Sequence, residues 1–205
     1  VGNGQLGRMS AIAAARLGFR VHVFGPEADA PAAQVAARAT IASYDDEAAL
    51  RAFAASVDVV TFEFENVSAA GLDLLEQRVA VRPGPAVLRT SQDRLAEKRF
   101  LEAAKVKVAP WAAVETEAEL VAAVQKLGLP AVLKTTRLGY DGKGQAKLLA
   151  QEDLAPAFAR LNPKPLVLEK FVDFACEVSV VVARGADGTV ACFDTVENRH
   201  HDHIL

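Results

Sequence analysis

The sequence predicts an α/β protein whose N-terminal domain contains a parallel sheet and whose C-terminal region is of mixed α+β character. Two observations indicate this. Through residues 1–82, short apolar segments alternate with amphipathic segments at helical spacing, a pattern typical of parallel strands joined by crossover helices. After residue 128, β-branched runs are separated by short glycine-rich segments, which favours β-hairpins.

Composition and charge limit the possible functions. With 205 residues, 51% of them hydrophobic and 24% charged, the chain can bury a core, which we expect to form two packed units. The net charge of −3 predicts no general attraction to nucleic acid or anionic membranes, so any affinity for phosphate must be local. No apolar run approaches membrane-spanning length.

The cysteines and the chain ends carry two further expectations. Cys176 and Cys192 lie in apolar, strand-like stretches without CxxC spacing, which predicts two small core residues in a reducing cytoplasm. The chain opens at Val1, directly before a glycine motif, and stops at Leu205 after an apolar pair. We therefore expect both ends to cut through structure.

The N-terminal elements follow from the alternation. Val1 is predicted to end a first strand, and the glycine-rich segment 2–9 to turn into a helix over residues 10–17. Further helices are predicted over residues 45–55 and 68–78, and strands over residues 19–25, 57–65 and 79–82. A turn at residues 83–85 then closes this domain.

Capping residues and turns delimit the C-terminal elements. Ser91 is the predicted N-cap of a helix over residues 92–105. Thr116 and Glu119 have capping-box spacing for a second helix, which Gly128 ends. Strands are predicted over residues 166–172, 176–184 and 189–194, and the segment 185–188 suits a tight hairpin turn between the last two.

A lysine followed by a glycine-rich loop is the most informative local pattern. Lys134 ends a β-branched run, and Gly139, Gly142 and Gly144 follow it. Bare backbone N–H groups beside a lysine favour binding of a polyphosphate. The loop is not a Walker A motif, because Gly144 stands where that motif has Ser or Thr. A plain hairpin turn would explain the loop but not Lys134, so the pattern predicts a nucleoside triphosphate site.

The first loop has GxGxxG spacing, with glycines at positions 2, 4 and 7. An NAD site also needs an acidic residue at the end of the second strand, where this chain has Gly25 and Pro26. The spacing therefore argues against a dinucleotide but still suits a single phosphate group at a helix N-terminus. The alternative is that these glycines serve only a tight strand-to-helix turn.

Glu63 and Glu65 are candidates for proton transfer. We expect both on one face of a strand at its C-terminal end, where open α/β sheets place their ligands. The alternative is a pair of solvent-facing charges that alternate with core residues Phe62 and Phe64. The sequence does not distinguish which of the two glutamates acts.

Five segments together resemble one enzyme family. The segments 2–9, 61–67, 93–101, 132–145 and 166–184 are similar, in order and spacing, to N5-carboxyaminoimidazole ribonucleotide synthetases of the ATP-grasp superfamily. The resemblance implies a Rossmann-like pre-ATP-grasp domain over residues 1–92 and a small ATP-grasp lobe with a glycine-rich lid over residues 93–168. It also implies that the large lobe starts at residue 169 and is incomplete at residue 205.

The resemblance implies a reaction and its site residues. The reaction is the carboxylation of 5-aminoimidazole ribonucleotide by bicarbonate and ATP through carboxyphosphate, in purine biosynthesis. Implied ATP contacts are Arg94, Lys134, Gly139, Tyr140, Asp141, Gly142, Lys143, Gly144, Gln145, Glu169, Lys170, Phe171, Val172, Glu177 and His200. Implied substrate contacts are Gly4, Gln5, Leu6, Tyr140 and Asp141, and implied catalytic residues are Tyr140, Asp141 and Lys143, with Glu63 or Glu65.

The resemblance also implies cofactors and partners. ATP and Mg²⁺ are expected, with the metal ligands beyond residue 205, in a cytoplasmic homodimer without nucleic-acid or membrane partners. Asn3, Lys143 and His203 depart from the family pattern. Alternatives are another ATP-grasp ligase, such as a formate-dependent transformylase or a biotin carboxylase, and a non-catalytic nucleotide-binding module or a Rossmann oxidoreductase.

Overall fold

The computed structural model describes residues 1–138, 144–161 and 165–200. The chain divides into two compact units, Val1–Val106 and Lys107–Leu205. No helix in the described ranges is both long and apolar enough to cross a membrane.

The first unit alternates helices with short parallel strands. Its elements are α1 (Gln5–Arg16), β1 (His22–Gly25), β2 (Arg38–Ile41), α2 (Glu47–Ala54), β3 (Val59–Val60), α3 (Ala69–Glu76), β4 (Ala80–Val81), α4 (Pro85–Gln92) and α5 (Arg94–Ala103). Strand β1 pairs with β2 in parallel, and β3 pairs with β4 in parallel. The parallel character predicted for this half is therefore confirmed, whereas strand β2 was not predicted.

One predicted strand is much shorter than expected. The segment 57–65 contributes only Val59–Val60 to β3, so Glu63 and Glu65 lie in the following loop and not on a strand face. The partner strand explains this difference. Arg82 still donates its N–H to the Val60 carbonyl at 2.8 Å, but the next residue is Pro83, which has no N–H to continue the pairing.

Three helix boundaries also differ from the prediction. Helix α1 begins at Gln5 rather than at residue 10, and the expected closing turn at residues 83–85 instead starts α4, with Pro85 in its first turn. Asp93, not Ser91, is the N-cap of α5. The Asp93 carboxylate accepts the N–H groups of Leu95 and Ala96, while the Ser91 hydroxyl donates back to the Leu88 carbonyl.

A polar cluster surrounds His22 at the edge of the first core. The Ser56 hydroxyl donates to the Phe53 carbonyl at 2.8 Å and lies 3.0 Å from His22 Nδ1. It therefore accepts from Nδ1–H. In the neutral ring Nε2 then carries no proton, so it accepts from the Thr40 hydroxyl, 2.8 Å away. This arrangement suits a neutral imidazole. Burial, together with the nearby charge of Arg38, lowers the pKa of His22.

We expect His22 to make stability depend on pH. Because its folded-state pKa is lowered, the unfolded chain binds the additional proton as the pH falls through about 6.5. The contribution of neutral His22 to the free energy of unfolding is complete above that pH and is lost progressively below it. In the complete protein, urea unfolding measures the free energy of unfolding at pH 7.5 and at pH 5.5. The decrease in this free energy between the two pH values should be smaller for His22→Gln than for the wild type, because glutamine cannot titrate. Equal losses in both proteins would contradict this assignment.

The second unit is built mainly from antiparallel strands. Its elements are β5 (Trp111–Val114), α6 (Glu117–Leu127), β6 (Ala131–Thr135), β7 (Gln145–Leu148), α7 (Leu154–Arg160), β8 (Leu166–Lys170), β9 (Glu177–Ser179), β10 (Val182–Arg184), β11 (Val190–Cys192) and β12 (Val196–Asn198). Four strands form one sheet in the order β5-β8-β6-β7, and β9 pairs with β12 and β10 with β11. The fold confirms the α+β character predicted for this half.

Helices α6 and α7 share one core with the four-stranded sheet, to which Leu120, Phe158, Leu133 and Leu168 all contribute. Along β6, buried residues alternate with half-buried ones. Because successive side chains on a strand point to opposite faces, Lys134 lies on the face away from this core. The fold therefore places a lysine on an accessible face of a well-packed sheet.

The local signals of this unit are confirmed. Thr116 and Glu119 form the predicted capping box, and Gly128 ends α6 with φ +77°. The hairpin turn is present, since the Gly185 N–H donates to the Thr189 carbonyl at 2.8 Å.

Two expectations for the region after β8 are wrong. The predicted strand 176–184 is divided, because its first half pairs with β12 and its second half with β11. Cys176 and Cys192 are exposed rather than in the core. The sequence pattern indicated apolar strands correctly, but within the described residues β9–β12 are exposed along almost their whole length.

Candidate functional site

The glycine loop leads directly into helix α1. Gly2 has φ +106°, which favours glycine, and its N–H donates to the Phe24 carbonyl at 3.0 Å. Gly4 is the N-cap, so the predicted substrate contacts Gly4, Gln5 and Leu6 occupy the N-cap and the first two helical positions. Gln5 and Leu6 are exposed. Backbone N–H groups at such a helix start suit an anionic ligand.

The two candidate glutamates differ in their surroundings. Glu63 is half-buried, and its carboxylate lies against Gly2 and Gly7, so that a Cβ atom on either glycine would come within 3.1 Å of Glu63 Oε1. Burial raises the pKa of Glu63, and the charge of the Val1 ammonium group, followed by the backbone of Gly7, opposes the rise. Glu65 is exposed, and its backbone carbonyl accepts from the side chain of Gln92. Glu63 is therefore tied to the glycine loop, whereas the Glu65 side chain projects into solvent.

Lys134 and Glu169 form an ion pair on the open face of the four-stranded sheet. Strand register explains their proximity, because Glu169 is opposite Val132, two residues before Lys134 on the same face. Lys134 Nζ lies 2.7 Å from Glu169 Oε2, and the side chains are 25% and 14% exposed. The structure thus brings together two of the residues predicted to contact ATP.

The segment after Glu169 is held by backbone hydrogen bonds. The N–H of Lys170 donates to the Pro110 carbonyl at 2.8 Å, and that of Phe171 donates to the Pro130 carbonyl at 3.1 Å. Both N–H groups are therefore engaged within this unit, and the contact of the Lys170 and Val172 backbone with adenine stays a prediction. Val172 is exposed at the end of this segment.

Glu177 and His200 are also brought together. Asn198, opposite Glu177 in the β9–β12 register, donates through Nδ2 to Glu177 Oε1 at 2.8 Å and to Ser179 Oγ at 2.7 Å. His200 Nε2 lies 3.9 Å from the same Glu177 oxygen. The sequence analysis missed Asn198, and no local signal indicates it, because its role depends on the pairing of two distant strands.

Arg94 is the first residue of α5 and is half-buried. One turn later on the same helix, Lys98 is only 9% exposed. Burial of a lysine is costly unless polar groups surround it, so Lys98 is a second cation of interest that the sequence analysis missed.

The glycine-rich lid is described only at its C-terminal end. Its residues Gly139, Tyr140, Asp141, Gly142 and Lys143 lie outside the described residues, as does His203. Gly144 accepts the N–H of Thr135 through its carbonyl at 2.8 Å, and Gln145 is opposite Lys134 in the β6–β7 register. The end of the lid is thus attached to the strand that carries Lys134.

A metal site needs several His, Cys, Asp or Glu side chains close together. Across residues 1–138, 144–161 and 165–200, no three or more His, Cys, Asp and Glu side chains are grouped so that they could hold a metal ion. These residues therefore do not fit a magnesium site by themselves.

Comparison with known proteins covers the whole chain. Residues 1–92 match the ribonucleotide synthetase preATP-grasp domain, and residues 99–205 match the ATP-grasp domain. The chain is 50% identical over 207 residues to the N5-carboxyaminoimidazole ribonucleotide synthase of Brucella melitensis, an alignment that covers 100% of this chain and 57% of that protein.

Two solved structures are similar in fold over the full length of the chain. The N5-carboxyaminoimidazole synthetase of Staphylococcus aureus complexed with ADP gives a TM-score of 0.95 at 39% identity, covering 100% of this chain and 55% of that one. The Aspergillus clavatus synthase in complex with ADP and 5-aminoimidazole ribonucleotide gives 0.90 at 32% identity, with coverages of 100% and 54%. The chain therefore spans a little more than half the length of these proteins.

Proposed function

Because the chain belongs to the ATP-grasp family and carries a ribonucleotide synthetase preATP-grasp domain before its ATP-grasp domain, we propose that the complete protein is an ADP-forming, carboxylating ligase. Its substrates are ATP, bicarbonate and 5-aminoimidazole ribonucleotide, and its product is N5-carboxyaminoimidazole ribonucleotide. The observation that carries this proposal is similarity to enzymes of that name along 100% of the chain, through both domains in the same order.

The proposed ATP site is centred on the open face of the four-stranded sheet. Lys134 contacts the phosphates there, and its ion pair with Glu169 holds the ammonium group in place before the nucleotide binds. Glu169, with the segment 170–172, contacts the adenine, while Arg94 and the lid residues 139–145 contact the phosphates. The preATP-grasp domain is assigned to residues 1–92, the small lobe to 93–168 and the start of the large lobe to 169–205.

The ribose part of the site uses the β9–β12 pair. Glu177 accepts the ribose hydroxyls, and Asn198 orients the Glu177 carboxylate through its hydrogen bond of 2.8 Å. His200 lies on the same side, near the nucleotide. The support for this assignment is the convergence of two polar side chains, Asn198 and His200, on the Glu177 carboxylate.

The chemistry begins with activation of bicarbonate, which is a poor electrophile. A bicarbonate oxygen attacks the γ-phosphorus of ATP, and ADP leaves as carboxyphosphate forms. Carboxyphosphate breaks down to carbon dioxide and phosphate, the exocyclic amine attacks the carbon, and the amine loses a proton. Tyr140, Asp141 and Lys143 retain the intermediate and exclude water, and Glu65 or Glu63 receives the proton.

The remaining parts of the proposal concern substrate phosphate, metal and assembly. Gly4, Gln5 and Leu6 bind the phosphate of the ribonucleotide at the start of α1. ATP is used with Mg²⁺, but no step is assigned to the metal because the described residues do not fit such a site. A cytoplasmic homodimer is inferred from the family resemblance.

The proposal predicts a specific acceptor requirement. In the complete protein, bicarbonate with 5-aminoimidazole ribonucleotide should stimulate ADP release at least about tenfold over ATP alone, because phosphoryl transfer requires a positioned acceptor. Formate in place of bicarbonate should not. Formate-dependent turnover would instead indicate a transformylase, and thermal stabilisation by NAD but not by ATP with magnesium would indicate an oxidoreductase.

A further inference from the structure

The three glycines of the N-terminal loop have different surroundings. A Cβ atom on Gly2 would lie 2.5 Å from Glu63 Oε1, and one on Gly7 would lie 2.9 Å from the Gly2 carbonyl oxygen and 3.1 Å from Glu63 Oε1. A Cβ atom on Gly4 would meet no atom within 4 Å. Gly2 and Gly7 are therefore required for close packing around Glu63, whereas the space beside Gly4 is open.

Glu63 lies at the start of helix α1, although it comes from a distant part of the chain. Its Oε1 lies beside Gly7, the third helical residue, whose N–H is one of the first-turn groups that have no partner inside a helix. Gly4, the N-cap itself, has no side chain that could accept this N–H. A carboxylate at a helix N-terminus also interacts favourably with the helix dipole. Glu63 thus places a carboxylate where other helices have a polar N-cap side chain.

Asn3 holds the opposite side of the loop. Its side chain is 4% exposed and donates through Nδ2 to the Glu27 carbonyl at 2.8 Å, while its own carbonyl accepts the N–H of Ala32 at 3.1 Å. A Cβ atom on Gly25 would overlap the Asn3 amide. The departure from the family pattern at Asn3 therefore has a structural role, because the amide fills the space above Gly25.

We infer that Glu63 is a positioning residue, whose carboxylate fixes the backbone of the glycine loop so that its outer face at Gly4, Gln5 and Leu6 is held open for a phosphate group of the substrate. Glu65 is then the glutamate available for proton transfer. This inference rests on the proposed function for the identity of the ligand, but the close approach of Glu63 to Gly2 and Gly7 is independent of it.

Substitution by glutamine separates positioning from acid–base chemistry. Glu63→Gln keeps the size of the side chain and an oxygen beside Gly7 but cannot take up a proton, whereas Glu63→Ala removes both the contact and the titratable group. If Glu63 is a positioning residue, Glu63→Ala should raise the KM for 5-aminoimidazole ribonucleotide about tenfold or more, with little change in the KM for ATP. Glu63→Gln should have a KM for the ribonucleotide close to that of the wild type. A loss of kcat in Glu63→Gln by about 100-fold or more would overturn the inference, because it would identify an acid–base group.

Hydrogen exchange in the complete protein provides a test that does not depend on activity. Amide hydrogen exchange over residues 4–9 should accelerate about tenfold or more in Glu63→Ala and remain slow in Glu63→Gln, even if the ligand has been misidentified. Equal exchange in both variants would overturn the inference.

Gly4→Ala tests the proposed location of the substrate phosphate. This variant should fold normally, since Gly4 has a φ of −78° and its surroundings are open. If Gly4→Ala leaves the KM for the ribonucleotide unchanged, the proposed substrate location is wrong, and the exchange result still decides the role of Glu63.

Discussion

Replacement of Lys134 by Met in the complete protein is expected to weaken ATP binding by about 10- to 100-fold, the effect of losing a charge-assisted contact to phosphate. The fold should be retained, because Met keeps the aliphatic stem and Lys134 lies on the face of the sheet away from the core. Isothermal titration calorimetry with ATP and magnesium measures the affinity, and circular dichroism verifies the fold.

Lys147→Met is the matched control for this experiment. Lys147 is an exposed lysine of the same sheet, on strand β7, and its Nζ lies 4.0 Å from the centroid of the Phe171 ring. Loss of this exposed cation–π contact costs about 0.5–1 kcal/mol in stability and should leave ATP affinity unchanged. Equal weakening in both variants would indicate a general loss of positive charge, and wild-type affinity in Lys134→Met would refute the proposed phosphate contact.

Gly71→Ala is expected to destabilise the first unit by about 1–3 kcal/mol, although a Gly-to-Ala change inside a helix usually stabilises it. Gly71 lies within helix α3, and a Cβ atom there would approach the Tyr44 carbonyl oxygen to 2.6 Å and Leu50 Cδ1 to 3.2 Å. The Tyr44 oxygen belongs to the backbone, so it cannot rotate away as a side chain can. Urea unfolding of the complete protein measures the free energy of unfolding.

Ala70→Ser provides the control for added volume. Ala70 is the exposed neighbour of Gly71 in the same helix, and Ser likewise adds one heavy atom. A surface change of this kind should alter the free energy of unfolding by no more than about 0.5 kcal/mol. A neutral or stabilising Gly71→Ala would show that the segment carrying Tyr44 can move away from α3.

Local features of the fold were predictable from the sequence. The capping box of Thr116 and Glu119, the helix end at Gly128 and the hairpin turn over residues 185–188 are all present. Each depends on contacts between residues within about four positions of one another, so the local sequence is sufficient to predict it. The parallel character of the first unit was predictable for the same reason, since it follows from the order of short strands and helices.

Features that depend on a distant partner were not predictable. The segment 57–65 reads as a long strand, but its pairing with β4 stops after Val60, because Pro83 follows the partner strand and has no N–H to donate. Cys176 and Cys192 read as core residues, yet they are exposed. In each case the residue pattern indicates a strand, and the segments packed beside it determine its length and its burial.

For the candidate site, the sequence by itself determined the chemical groups. It indicated a lysine at a strand end, two glycine-rich loops and a pair of candidate glutamates, and these patterns were sufficient to indicate the family. Only the tertiary structure decided which groups meet. The sheet register brings Lys134 next to Glu169. Glu63 differs from Glu65 in its surroundings because Gly2 and Gly7 pack around the Glu63 carboxylate alone. The physical reason is that hydrogen bonds and ion pairs require atoms within about 3–4 Å, and for residues far apart in sequence only the folded chain sets that distance.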